Sequence, residues 1–214
     1  RTLFQARAQP AKGRSMEPPL VLGREILGSN IKKWCVGSPA QAPLDCVQAL
    51  LPTLPAMDQI KSISVEIRSD EAFIVDKRDM PNICLQHLVA LYLVDRKLTF
   101  DSAHDYSRMD DPRVRDIRSK IQFIASEALM KSGGRQAIVK ITTHDEKTLH
   151  KHVQHVRGTW GDPMPRSEIH EKAKDLLEPV IGVAPTARLL DALWNLENLD
   201  ADALDQLINS AQPA

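Results

Sequence analysis

Residues 83–95, ICLQHLVALYLVD, constrain the fold of this chain more than any other stretch. They are apolar almost all round, show no strand alternation and form a long run, which predicts a helix buried on every side. Asn82, just before them, is the expected N-cap. The flanking sequence predicts what packs around this helix. IKSISVEIR at 60–68 alternates Ile63, Val65 and Ile67 against Ser62, Ser64 and Glu66, the period of a half-buried strand. QAIVKITTH at 136–144 and TLHKHVQHV at 148–156 predict a hairpin through His144 to Lys147, in a turn that lacks the usual glycine. DDPRVRDIRSKI predicts an amphipathic helix capped by Asp110 or Asp111, with Pro112 in its first turn and Val114, Ile117 and Ile121 on one face. Upstream, Pro39 and Pro43 suit the entry of a helix from about Ala40 to Leu51, stopped by Pro52.

From Pro165 the pattern is helical again. SEIHEKAKDLLEPVIG opens on Ser167 as the expected cap, and TARLLDALWNLENL and DADALDQLINSA follow as two further helical pieces. The fold class is therefore α+β: a small, mostly antiparallel sheet with packed helices, plus a C-terminal helical extension. Three regions follow: a linker or remnant of a truncated N-terminal region over 1–29, an α+β domain over 30–164, and C-terminal helices over 165–214. Residues 8–30 mix prolines and glycines with little periodicity, which reads as linker. The chain opens on Arg1, and its first acid is Glu17. Transit segments share that bias, as do vector-derived leaders and chains cut from a longer parent, and the last is the reading favoured here.

Charge and cysteine content narrow the function. Lys plus Arg and Asp plus Glu number 28 each, so no net field draws the chain to nucleic acid or to a membrane surface, and no stretch approaches a membrane span. The three cysteines, Cys35, Cys46 and Cys84, have no paired metal spacing and fit reduced thiols, hence a cytoplasmic protein or one of the mitochondrial matrix. No phosphate loop, nucleophile elbow or zinc helix is present. His150 and His152 share a strand face, without a third ligand in step, and read as an exposed polar face. His87 reads as a hydrogen-bonded core histidine, or, facing a cleft, as a proton carrier. His104 and Asp105 read as turn or capping chemistry.

IKKWCVGSPAQAPLD at 31–45 is more informative. It places Lys32 and Lys33 just before a helix N-terminus, whose free N–H groups and partial positive charge favour a carboxylate. The alternative is purely structural: Ser38 caps the helix, the lysines are solvated and Gln41 lies at the surface.

Three stretches together resemble the MmgE/PrpD family, which includes 2-methylcitrate dehydratase and cis-aconitate decarboxylase. They are NIKKWCVGSPAQAPLD at 30–45, DMPNICLQHLVALYLVDRKLTFDSAHDYSRMDDPRV at 79–114 and RGTWGDPMPRSEIHEKAKDLLEPVIG at 157–182. The resemblance implies that 30–164 is the family's α+β lid domain and that 165–214 returns to a helical domain missing here, which holds the main acid and base residues. It implies lyase or isomerase chemistry, dehydratase-like, on small di- or tricarboxylates, with no metal and no organic cofactor, in a homodimer. Lys32 matches the lysine of the family motif, and Lys32, Ser38 and Gln41 would bind substrate. Gln41 stands where some members carry histidine, so it can hydrogen-bond a carboxylate or hydroxyl but not carry a proton near neutral pH. Arg96 and Lys147 stand where many members have a turn glycine. The chain alone is expected to be inactive. The rival readings are a non-catalytic binding or oligomerisation module, using Leu189, Leu193 and Trp194, and a decayed gene fragment.

Overall fold

The computed structural model describes residues 29–210. Of the linker expected over 1–29, only Ser29 falls among them. The chain enters through a single 3-10 turn, Ser38–Ala40, that runs directly into α1 (Gln41–Leu50). The sheet follows, with β1 (Ile60–Arg68), β2 (Ile121–Ser126), β3 (Ala137–Thr143) and β4 (Thr148–Val153) in the order β2–β1–β3–β4. β1 runs parallel to β2 and antiparallel to β3, which pairs antiparallel with β4. A parallel pair needs a long crossover. That crossover is α2 (Ser69–Val75), α3 (Leu85–Asp95), α4 (Phe100–His104) and α5 (Pro112–Ser119), and a short α6 (Glu127–Ser132) then leads from β2 to β3.

Strand alternation decides which face of the sheet is core. Ile63, Val65 and Ile67 of β1 lie opposite Ile141, Val139 and Ala137 of β3, and all six are buried. α1 lies against β3 and β4, and α3 packs between α1 and α5. Every side chain of α3 from Leu85 to Leu93 is buried, as a helix apolar all round requires. Each of its fully buried leucines contributes about 1.5–3 kcal/mol of transfer free energy. The opposite sheet face carries Ser62, Lys140, His150 and His152, all exposed.

Several local expectations are corrected. Asn82 lies in a 3-10 turn, Pro81–Ile83, and α3 instead begins after Cys84 with no side-chain cap. Ser167 sits inside the first turn of α7 (Arg166–Ile181), whose N-cap is Pro165. Ile121 does not extend the helix face of Val114 and Ile117, because α5 ends at Ser119 and Ile121 opens β2. Asp111 is the cap of α5, accepting from the Arg113 N–H at 2.9 Å. Arg96 does take the left-handed conformation of a turn glycine, with φ 54°, and its backbone caps α3. In the hairpin turn the positive φ, 62°, falls on Glu146 rather than on Lys147.

The tail consists of α7, α8 (Val183–Trp194) and α9 (Ala201–Ser210). In α7 and α8 only Ile181, Thr186 and Leu190 are buried, while Val180, Val183 and Leu193 are 52%, 67% and 43% exposed. These helices therefore carry little core of their own. α7 is held to the α+β domain by charge: Glu168 meets the Arg157 guanidinium at 2.6 and 3.1 Å and the Lys33 ammonium at 3.5 Å.

Candidate functional site

The site begins with how residues 30–41 are held. Ile31 donates its N–H to the Gly158 carbonyl at 2.9 Å, which ties this segment to the loop after β4. Gly158 has φ +90°, and a Cβ there would lie 1.8 Å from the Ile31 carbonyl oxygen, so only glycine permits the approach. Trp34 is buried edge-on to Tyr92, with ring centroids 5.1 Å apart, and its indole N–H donates to Asp45 Oδ1 at 2.8 Å. Asp45 Oδ2 accepts the Arg157 N–H at 2.9 Å. One carboxylate on α1 thus joins the two loops that flank the site. Burial pushes the Asp45 pKa above its ordinary value despite both hydrogen bonds.

Gln41 is the innermost residue of this wall, 2% exposed. Its Oε1 accepts the Trp34 N–H at 3.1 Å, and its Nε2 donates to the Trp34 carbonyl at 2.8 Å and the Val36 carbonyl at 3.3 Å. The amide is committed to the backbone, which leaves one lone pair on Oε1 for anything else. Gln41 therefore braces the loop that carries Lys32 and Ser38. Ser38 is half-buried and caps nothing through its side chain, since neither the 3-10 turn nor α1 has a side-chain cap. Its hydroxyl makes no hydrogen bond among the described residues. Lys32 is exposed, and its ammonium contacts the Val36 carbonyl at 3.3 Å, with no carboxylate partner among the described residues.

These three residues line one open cavity of about 570 Å³, whose other walls are Ser132 to Gln136, from the end of α6 onward, and the loop beyond β4 that includes His155 and Trp160. Among the described residues no Asp or Glu lines it, whereas Lys32, Arg135 and Arg157 do. The Arg157 charge is already met by Glu168 and Asp162, and Arg135 Nε bonds Glu71 at 3.0 Å. Of these three cations, Lys32 is left free to meet an anion. His155, exposed and without a hydrogen bond among the described residues, stands in the same wall. The cavity wall thus offers an ammonium and a hydroxyl to an anion, with no competing carboxylate among its described lining residues.

A second cavity of about 590 Å³ lies between α7 and the α3–α4 connection, but four carboxylates line it beside five cations, so it favours no anion. His87 faces no cleft: it is fully buried, neither ring nitrogen has a partner among the described residues, and burial followed by the charges of Arg118 and Arg108 pushes its pKa down to about 4. The expectation that it is hydrogen-bonded is thus corrected. Asp105 does cap a 3-10 turn, accepting the Ser107 N–H at 2.8 Å, while His104 Nδ1 lies 2.8 Å from the Phe100 carbonyl. His152 Nε2 lies 2.9 Å from Gln136 Oε1 on the outer sheet face, and no group of three or more His, Cys, Asp or Glu among the described residues could hold a metal. Cys46 is buried, its thiol pushed up to about 12 chiefly by desolvation. No helix among the described residues is long and apolar enough to cross a membrane.

Sequence reasoning reaches Lys32, Ser38 and Gln41 but not Arg135, His155 or Trp160. The Gly133–Gly134 pair before Arg135 and Gly158 before Trp160 are the available signals, since a glycine with positive φ marks a backbone placed for close approach. Comparison with family models matches residues 34–198 to the MmgE/PrpD C-terminal domain. No curated protein matches the chain.

Proposed function

The chain belongs to the MmgE/PrpD family through its C-terminal domain, and from that premise we propose that it forms the lid side of a lyase or isomerase acting on small di- or tricarboxylates. The supporting observation is the cavity that gathers Lys32 and Ser38 with no acid among its described lining residues. In this reading the Lys32 ammonium pairs with a substrate carboxylate and the Ser38 hydroxyl donates to it, while Gln41 and Asp45 hold their loop in place. A carboxylate so neutralised makes the adjacent C–H easier to deprotonate, because the negative charge that develops in the transition state falls next to fixed positive charge. The proton itself is taken by a base from a helical domain, so the chain alone binds substrate without turning it over. The exposed apolar residues of α7 and α8 suit that helical domain, and they equally support the second reading, a non-catalytic module that docks a partner or a second copy through this tail.

A thermal-shift titration with citrate tests the reading. A ligand at tenfold its Kd stabilises the native state by about 1.4 kcal/mol, a rise of about 3–6 °C for a chain of this size. The rise is expected in the wild type and lost in Lys32→Glu; no rise in either overturns the carboxylate site, and robust turnover of 2-methylcitrate or cis-aconitate by the chain alone overturns its dependence on another domain.

A further inference from the structure

The cavity wall contains a feature that carboxylate binding does not use. Trp160 is 79% exposed, on the tip of a turn whose base is unusually well fixed. Gly158 donates to the Asp162 carbonyl at 2.7 Å, Asp162 donates back to Thr159 at 3.1 Å, and the Thr159 hydroxyl bonds the Val156 carbonyl at 2.7 Å. The Arg157 guanidinium clasps Asp162 across the same turn. Gly161 lets the His155 ring lie directly on the turn, since a Cβ there would sit 2.6 Å from His155 Nδ1. The two rings are held with centroids 6.3 Å apart, tilted by 54°. Ile31, 46% exposed, lines the same cavity and is fastened to Gly158.

An indole held out to water on a braced turn gains nothing for folding, because its apolar area stays unburied. Its place beside the His155 ring, on a turn whose backbone is braced, is an arrangement that receives a flat or branched apolar group. Resting on the carboxylate reading of this cavity, we infer that the ligand is a carboxylate bearing an apolar substituent of about ring size, which lies between Trp160 and Ile31 while its carboxylate meets Lys32 and Ser38. A bare polycarboxylate fills only the cationic part of the wall.

The test is calorimetric titration of the chain with benzylsuccinate and with succinate, which differ only in the aryl arm. Wild type is expected to bind benzylsuccinate about tenfold more tightly, the gain from burying one ring against an indole. Trp160→Ala is expected to reduce that preference to about one, Trp160→Phe to keep most of it, and Lys32→Glu to weaken both ligands. Equal binding of the two acids by wild type, or a preference unchanged in Trp160→Ala, overturns this inference and leaves the carboxylate site standing. Failure of wild type to bind either acid removes the carboxylate site, and this inference with it.

Discussion

Replacing Gln41 by leucine separates bracing the wall from contacting the ligand. Leucine nearly fills the same volume, so the change creates little cavity, but it removes three hydrogen bonds, to the Trp34 N–H, the Trp34 carbonyl and the Val36 carbonyl. The Val36 carbonyl keeps the Lys32 ammonium as a donor. Trp34 is only 8% exposed, so its N–H and carbonyl are left without partners in a buried turn. An unpaired buried backbone group costs about 1–3 kcal/mol, which puts the substitution at about 3 kcal/mol in all. For a chain of this size that lowers Tm by about 6–12 °C. Urea unfolding followed by tryptophan fluorescence reads the change directly, with the midpoint moved and the slope unchanged. Stability within about 0.5 kcal/mol of wild type, a size ordinary for surface substitutions, together with weaker citrate binding, would refute the bracing role and return Gln41 to direct ligand contact.

Gly158→Ala should cost at least as much, about 3 kcal/mol, because the new methyl collides with the Ile31 carbonyl at a backbone φ that alanine avoids; a melting point equal to wild type contradicts the close approach. His87, held neutral with a pKa of about 4, makes the chain lose stability as pH falls from 6.5 towards 4, since the unfolded state takes up the proton first. The loss is about 3 kcal/mol at most, and His87→Leu should abolish it without destabilising the chain at pH 7; an unchanged pH profile in that variant contradicts it. Glu168 has the ordinary acid sign. The Arg157 guanidinium, acting against some desolvation and helped by Lys33, holds its pKa below 4.5, so the α7 anchor is intact above that value and loosens as pH falls through the lower folded value. Hydrogen exchange along α7 should rise in that window in wild type and be already fast at pH 7 in Glu168→Gln.

Those parts of the fold where one period dominates are legible in the sequence. The all-apolar run of α3, the alternation of β1 and the hairpin of β3 and β4 are each set by local pattern, and each can be placed to within a few residues. β2 is hidden because IQFIAS follows an amphipathic helix without a break, and Ile121 fits the periodicity of both. Its strand state comes from pairing with β1, more than fifty residues earlier, which no local window contains. α2 and α6 are too short to show a period. The same limit governs the site. Lys32, Ser38 and Gln41 lie in one segment and can be read together, whereas Arg135, His155 and Trp160 reach the cavity from other loops. The role of Gln41 is hidden for a different reason: an amide beside a helix start looks the same in sequence whether it faces a ligand or its own backbone.

Carboxylate binding by Lys32, in a cavity with no acid among its described lining residues, is the proposal on which the others rest. Amide chemical shifts recorded during a citrate titration test it most directly. Saturable changes are expected at Lys32, Ser38, Arg135 and His155, vanishing in Lys32→Glu and weakening with added salt. Changes confined to the cavity beside α7, around Lys97 and Lys172, or none at saturating citrate, would contradict it.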